Sequence, residues 1–161
     1  MRASIAVAAS LLALAHARIT GISVPETIKP GDTINATIIS ENYIQAVYDV
    51  AIAFGYAPGH GTPESLGLVA GSMYLGPGTV YEPSSLLADE RLQKKRAGES
   101  NQLHSFTKQF AIPQNAPRGK GLITASLMSL YGALHMPTLS NYNVSVTFGD
   151  ETSTKYVSSQ S

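Results

Sequence analysis

The sequence predicts an all-β fold: an antiparallel sandwich of two sheets with six to seven strands, in the manner of immunoglobulin or fibronectin type III domains. Three observations predict it. Apolar and polar residues alternate at period two in run after run, the breaks between runs are rich in Gly, Pro, Asn and Ser, and no long amphipathic helical stripe interrupts them. Strands joined by turns must bury their apolar faces against one another, which gives two packed sheets. A jelly roll or a small barrel meets the same pattern with different connections.

The first seventeen residues stand outside that fold. Arg2 is a short positive start, Ile5 to Leu14 is an apolar run, and small residues follow, which is the form of a secretory signal. The stretch "LALAHARITG" holds two overlapping small-x-small triplets, and the cut is expected between Ala17 and Arg18, the alternative being after Ala15. At about ten residues the apolar run is too short to anchor in a bilayer, so the mature chain is expected to be exported with no membrane anchor. Removing seventeen of the 161 residues leaves 144, a length suited to one domain spanning 18–161.

The first strand is Ile19 to Val24, closed by Pro25. After "KPGD", the run "TINATIIS" sets Ile34, Ala36 and Ile38 on one face, with Asn35 opposite them. In "AVYDVAIAF" the same alternation assigns Tyr48, Val50, Ile52 and Phe54 inward. "YAPGHGTPESLG" is a loop by composition, and Leu66 to Leu75 is a strand with an irregularity at Gly71. The charged stretch over 86–102 carries leucines too sparse for a helix and is expected to be a loop. "HSFTKQFAIP" returns to alternation, "LITASLMSLYG" is apolar on both faces as a central strand would be, and "YNVSVTF" turns Tyr142, Val144, Val146 and Phe148 inward. A polar tail from Gly149 to Ser161 is a segment that could order on contact with a partner.

Charge and chemistry narrow the function. Once Arg2 is lost with the leader, ten basic residues face 11 acidic ones, which leaves no nucleic-acid footprint and no polybasic membrane surface. The chain has no cysteine, so packing alone must hold it, and its fold is indifferent to redox conditions. No G-x-S-x-G, H-E-x-x-H or S-x-x-K signature is present, and no cofactor is implied. A copper site would need His16 as the mature N-terminus together with His60, His104 or His135, and a cut before Arg18 abolishes it. Glu41, Asp49, Glu82, Asp89 and Glu90 could supply paired carboxylates for glycoside hydrolysis, but their places near strand ends and in loops read as solvated surface. Lys94-Lys95-Arg96 is offset by Asp89, Glu90 and Glu99 and reads the same way. Tyr74, Tyr81, Tyr131 and Tyr156 lie near strand ends, where tyrosine serves packing or recognition. Two sequons, at Asn35 and Asn143, fall on the outward phase of their strands, where a glycan could stand in water.

The opening "ARITGISVPETIKPGDTINATIISENYIQAVYDVAIAFG", the middle "GSMYLGP" and the closing "SLYGALHMPTLSNYNVSVTFGDETST" together resemble the necrosis-inducing secreted proteins of plant-associated fungi. The resemblance is strongest over 17–56 and 121–155. It implies an effector that is secreted, enters plant tissue and the host cytoplasm, and provokes necrosis. It also implies binding to a membrane co-receptor kinase of the leucine-rich-repeat type and to a receptor-like cytoplasmic kinase, whose immune signalling is dampened. Such a protein would act as a binding monomer rather than as an enzyme. The expected interface is "LYGALHMPTLSNY", where Tyr131, Leu134, Met136 and Leu139 lie in a connection without core periodicity. The competing expectation is a polysaccharide-active or cell-wall-binding sandwich.

Overall fold

The computed structural model describes residues 16–76 and 104–159. Nine strands make up all the regular structure there: β1 (His16–Pro25), β2 (Thr27–Ile28), β3 (Thr33–Tyr43), β4 (Val47–Pro58), β5 (Leu68–Tyr74), β6 (Phe106–Ala111), β7 (Gly119–Tyr131), β8 (Met136–Phe148) and β9 (Tyr156–Ser158). They form a four-stranded sheet of order β6-β3-β1-β9 and a five-stranded sheet of order β2-β8-β7-β4-β5. Every pairing is antiparallel except the short β2 on β8. The seven strands read from the sequence are all present. The two additions are short pieces of two and three residues, too brief to show a period.

The core lies between the sheets. Ile22, Ile34, Ile38, Ile52, Ile123, Leu127 and Phe148 are fully buried, and the ring of Phe54 stacks on Phe110 from the opposite sheet with centroids 4.6 Å apart. Burying side chains of this size stabilises by about 1.5–3 kcal/mol each, and in a chain without cysteine this packing takes the place of disulfides. β-branched isoleucine dominates because it fits a pleated, packed face.

Three expectations change. In β4 the inward phase before the bulge is Val47 and Asp49, not Tyr48 and Val50. The ladder to β7 shifts between Asp49 and Ala51, so Val50 is an extra residue that reverses the alternation, and Ile52 and Phe54 resume it as expected. The connection expected after Tyr131 shrinks to a four-residue turn, because β8 begins at Met136 and pairs with β7 along its whole length. The polar segment after Phe148 is ordered on its own chain as far as residue 159. Ser153 N–H donates to Thr27 O at 2.9 Å, Lys155 pairs with Glu26 at 2.8 Å, and β9 adds to β1.

β1 begins at His16, two residues before the expected mature start, with Ala17 buried and paired with Asn42. Residues 1–15 of the expected leader lie outside the described residues, as do the charged stretch 86–102, Tyr81, Glu82, Asp89, Glu90 and Lys94-Lys95-Arg96.

Candidate functional site

The β7–β8 hairpin ends in a turn that requires two left-handed residues, Gly132 at φ 67° and His135 at φ 50°. Gly132 N–H donates to Ala46 O at 2.8 Å, which ties the turn to the loop before β4. The turn holds its apolar side chains away from the core. Leu134 is 85% exposed, Leu139 is 71% exposed and Met136 is also exposed. Tyr131 is half-buried at the end of β7, edge-on to Tyr43 at 6.0 Å. Burial, reinforced by the Asp49 carboxylate and opposed by Arg18, holds its hydroxyl above the ordinary tyrosine range.

Strand register extends this patch across the outer face of the five-stranded sheet. Leu139 faces Met128, Met128 faces Ala51 and Ala51 faces Tyr74, so one row crosses four strands. Beside it runs a second row of Pro137, Leu130 and Tyr48, with the His135 ring 5.3 Å from that of Tyr48. None of these seven row residues carries a charge. The other half of this face is covered from within: Thr124 Oγ1 donates to Leu66 O at 2.7 Å, and the loop 59–67 lies over β4 and β7. Gly55 allows that approach, because a Cβ there would sit 2.1 Å from Leu66 O. Half of the sheet face therefore has its own cover, while the half next to the hairpin tip has none within the described residues.

Sequence reasoning singled out Tyr131, Leu134, Met136 and Leu139 as candidates and passed over Met128 and Ala51, whose neighbours become visible only through the register. It also missed Ile44, 94% exposed in the loop between β3 and β4 at the same end of the sandwich. An isoleucine in the otherwise polar turn "ENYIQ" was the available signal.

The remaining candidates disperse. His60 and His135 lie beyond opposite ends of β4, roughly 30 Å apart at the rise of a strand. His104 is exposed before β6, and no group of three or more His, Asp or Glu side chains that could hold a metal occurs among the described residues. Glu41 is exposed on β3. Asp49, expected at the surface, is 1% exposed and accepts a hydrogen bond from Ser129 Oγ at 2.7 Å. Tyr74 and Tyr156 are exposed on β5 and β9. Both sequon asparagines are exposed on outward faces, and Asn35 Oδ1 accepts from Gln109 Nε2 at 2.8 Å. That bond leaves the Asn35 amide nitrogen, the atom a glycan would occupy, free of this contact.

Comparison with known proteins places these features in a lineage. Residues 15–147 match the Nis1 family. The chain is 47% identical over 158 residues to the Necrosis-inducing secreted protein 1 of Colletotrichum orbiculare, an alignment covering 98% of this chain and 85% of that protein. It is 49% identical over 160 residues to the protein of the same name from Colletotrichum higginsianum, covering 99% and 97%.

Proposed function

The chain belongs to the Nis1 family, and from that premise we propose that it is a secreted fungal effector that provokes plant necrosis and works by occupying immune kinases. The observation that carries this reading is the identity of about half, along nearly the entire length of this chain, to two relatives named as necrosis-inducing secreted proteins. A leader of secretory form and a fold that needs no disulfide suit a protein made for export and then for a reducing host cytoplasm. The partners proposed are a leucine-rich-repeat co-receptor kinase and a receptor-like cytoplasmic kinase. Sugar addition at Asn35 and Asn143 belongs to the same secreted life.

Mechanistically, inhibition by binding needs a surface that holds the kinase in an incompetent state; it needs no catalytic set. The hairpin tip and the bare half of the outer sheet face offer that surface. Leu134, Met136 and Leu139 project from it, Met128 and Tyr74 continue it, and Tyr131 backs it from the sandwich end. A stable complex would cover about 600–1,000 Å² on each partner. Charge at the centre of such a patch would have to be desolvated on binding, and the apolar rows avoid that cost.

The test is capture of purified kinase domains of the two classes by the mature protein, followed by an in vitro phosphorylation assay. Binding with suppressed phosphorylation is expected. Replacing Leu134 and Leu139 together by Asp should weaken capture at least tenfold with little change in melting temperature, since both side chains are exposed and they are not cross-strand partners. Phosphorylation unaffected at saturating effector would end the proposal.

A further inference from the structure

Asn143, the acceptor of the second sequon, stands on the same outer sheet face as the apolar rows. The β7–β8 ladder runs from Gly119 and Phe148 to Tyr131 and Met136 without a register shift, so Leu139, Asn141, Asn143 and Ser145 keep one side of β8. All four are exposed. Across the ladder Leu139, Asn141 and Asn143 face Met128, Ser126 and Thr124, and none of these side chains carries a charge. At the rise of a strand, the four residues from Leu139 to Asn143 span about 14 Å.

The surroundings of Asn143 limit where a sugar attached to it can go. Its cross-strand partner Thr124 is buried beneath the loop 59–67, whose Leu66 O accepts from the Thr124 hydroxyl, so that side of the face is already filled. On its other side β8 is paired only at Thr147 and Phe148, by β2. The directions left are off the edge of the sheet and over its bare half towards Leu139. Size then decides the effect. A partner covering about 800 Å² occupies a disc of roughly 16 Å radius, so one centred on Leu139 reaches Asn143. A branched, hydrated glycan at that point stands inside its footprint. Asn35 differs. It lies on the outer face of the smaller sheet, paired with Gln109, and a glycan there points away from the hairpin face with both sheets between.

We infer that N-glycosylation at Asn143 closes the hairpin half of the outer sheet face to macromolecular partners, whereas glycosylation at Asn35 leaves it open. The donor is a polyprenyl-diphosphate-linked oligosaccharide of the secretory pathway. The Asn143 amide nitrogen bonds to C1 of the first sugar and gives up one proton, the bond from C1 to the phosphate oxygen breaks, and the diphosphate leaves on its lipid. Secreted chains then fall into two forms, one sealed and one able to dock. That the docking partner is a kinase rests on the function proposed above; the closing of the face does not.

The test uses protein secreted by yeast, with glycopeptide mass spectrometry to read occupancy at each sequon. Asn143→Gln and Ser145→Ala each yield chains bare at Asn143 by a different route, and Asn35→Gln removes only the other glycan. Because the chain has no cysteine, Leu139→Cys introduces a unique thiol for a short-linker biotin. Streptavidin, a globular probe, should capture that biotin about tenfold more slowly when Asn143 is glycosylated, with no effect of the Asn35 glycan. Without the thiol, kinase domains should be captured at least about tenfold more weakly by the Asn143 glycoform than by either bare variant. The inference is overturned if Asn143 is recovered unmodified, if streptavidin captures both forms equally, or if kinases bind both forms equally. Streptavidin slowed by the glycan, with no kinase captured by the bare chains, would uphold the closed face and fault the kinase reading instead.

Discussion

Asp49 shows how one side chain can escape a period. Counted straight through "AVYDVAIAF" it falls on the outward phase, but the extra residue at Val50 turns it inward, where Ser129 Oγ satisfies it. A single bulge moves every residue on one side of it to the other face, and nothing in the local composition marks the spot. By contrast Ile34, Ala36, Ile38, Val144, Val146 and Phe148 face the core as the alternation requires, because no bulge separates them. Tyr142 belongs to this scale too. Burial pushes its hydroxyl up to about 12, with hydrogen bonding to Ser140 opposing the shift. Below pH 10 the residue is neutral in both folded and unfolded chains and contributes nothing to pH dependence. Between pH 10 and about 12 the unfolded chain loses that proton first, so stability falls as pH rises through this window. Urea unfolding measured at pH 9, 10 and 11 should show this fall, and Tyr142→Phe should make it shallower. An unchanged slope would assign the alkaline loss to other groups.

At the scale of elements, the C-terminal end of the chain is the hardest to read. β9 is three residues long and its flanks are Ser, Thr and Lys, a composition that reads as a tail. Its place is decided by hydrogen bonds to residues more than 120 positions away, among them Lys29 N–H to Thr152 Oγ1 and Ile22 N–H to Ser159 Oγ. Truncation after Phe148 should therefore cost at least about 2 kcal/mol of unfolding free energy, seen as a lowered urea midpoint, because it strips β1 of its neighbour. A truncated chain as stable as the full one would contradict the pairing. The β7–β8 hairpin was half legible. "YNVSVTF" announced itself, whereas "HMPTLS" hid because the first half of β8 is exposed on both sides and needs no apolar period there. The exposed leucines that concealed the strand are the ones that mark the candidate interface.

For the whole molecule, cohesion among the described residues comes from the facing sheets. With no cysteine in the sequence, the melting temperature of the mature protein should be the same with and without millimolar reductant; a drop would contradict cohesion by packing. The sequence by itself determined the all-β class, the seven longer strands, the inward phase of most of them, the near-neutral charge and the family resemblance. These are properties of alternation, turn chemistry and composition, which act over a few residues and leave a local trace. Only the tertiary structure decided where the bulge falls in β4, that β9 adds to the edge of the smaller sheet, that Leu139, Met128, Ala51 and Tyr74 share one row, and that the Arg18 guanidinium lies over the Tyr43 ring. Each of these depends on which distant strand lies alongside, and pairing between residues far apart in the chain is set by the packing of the whole core.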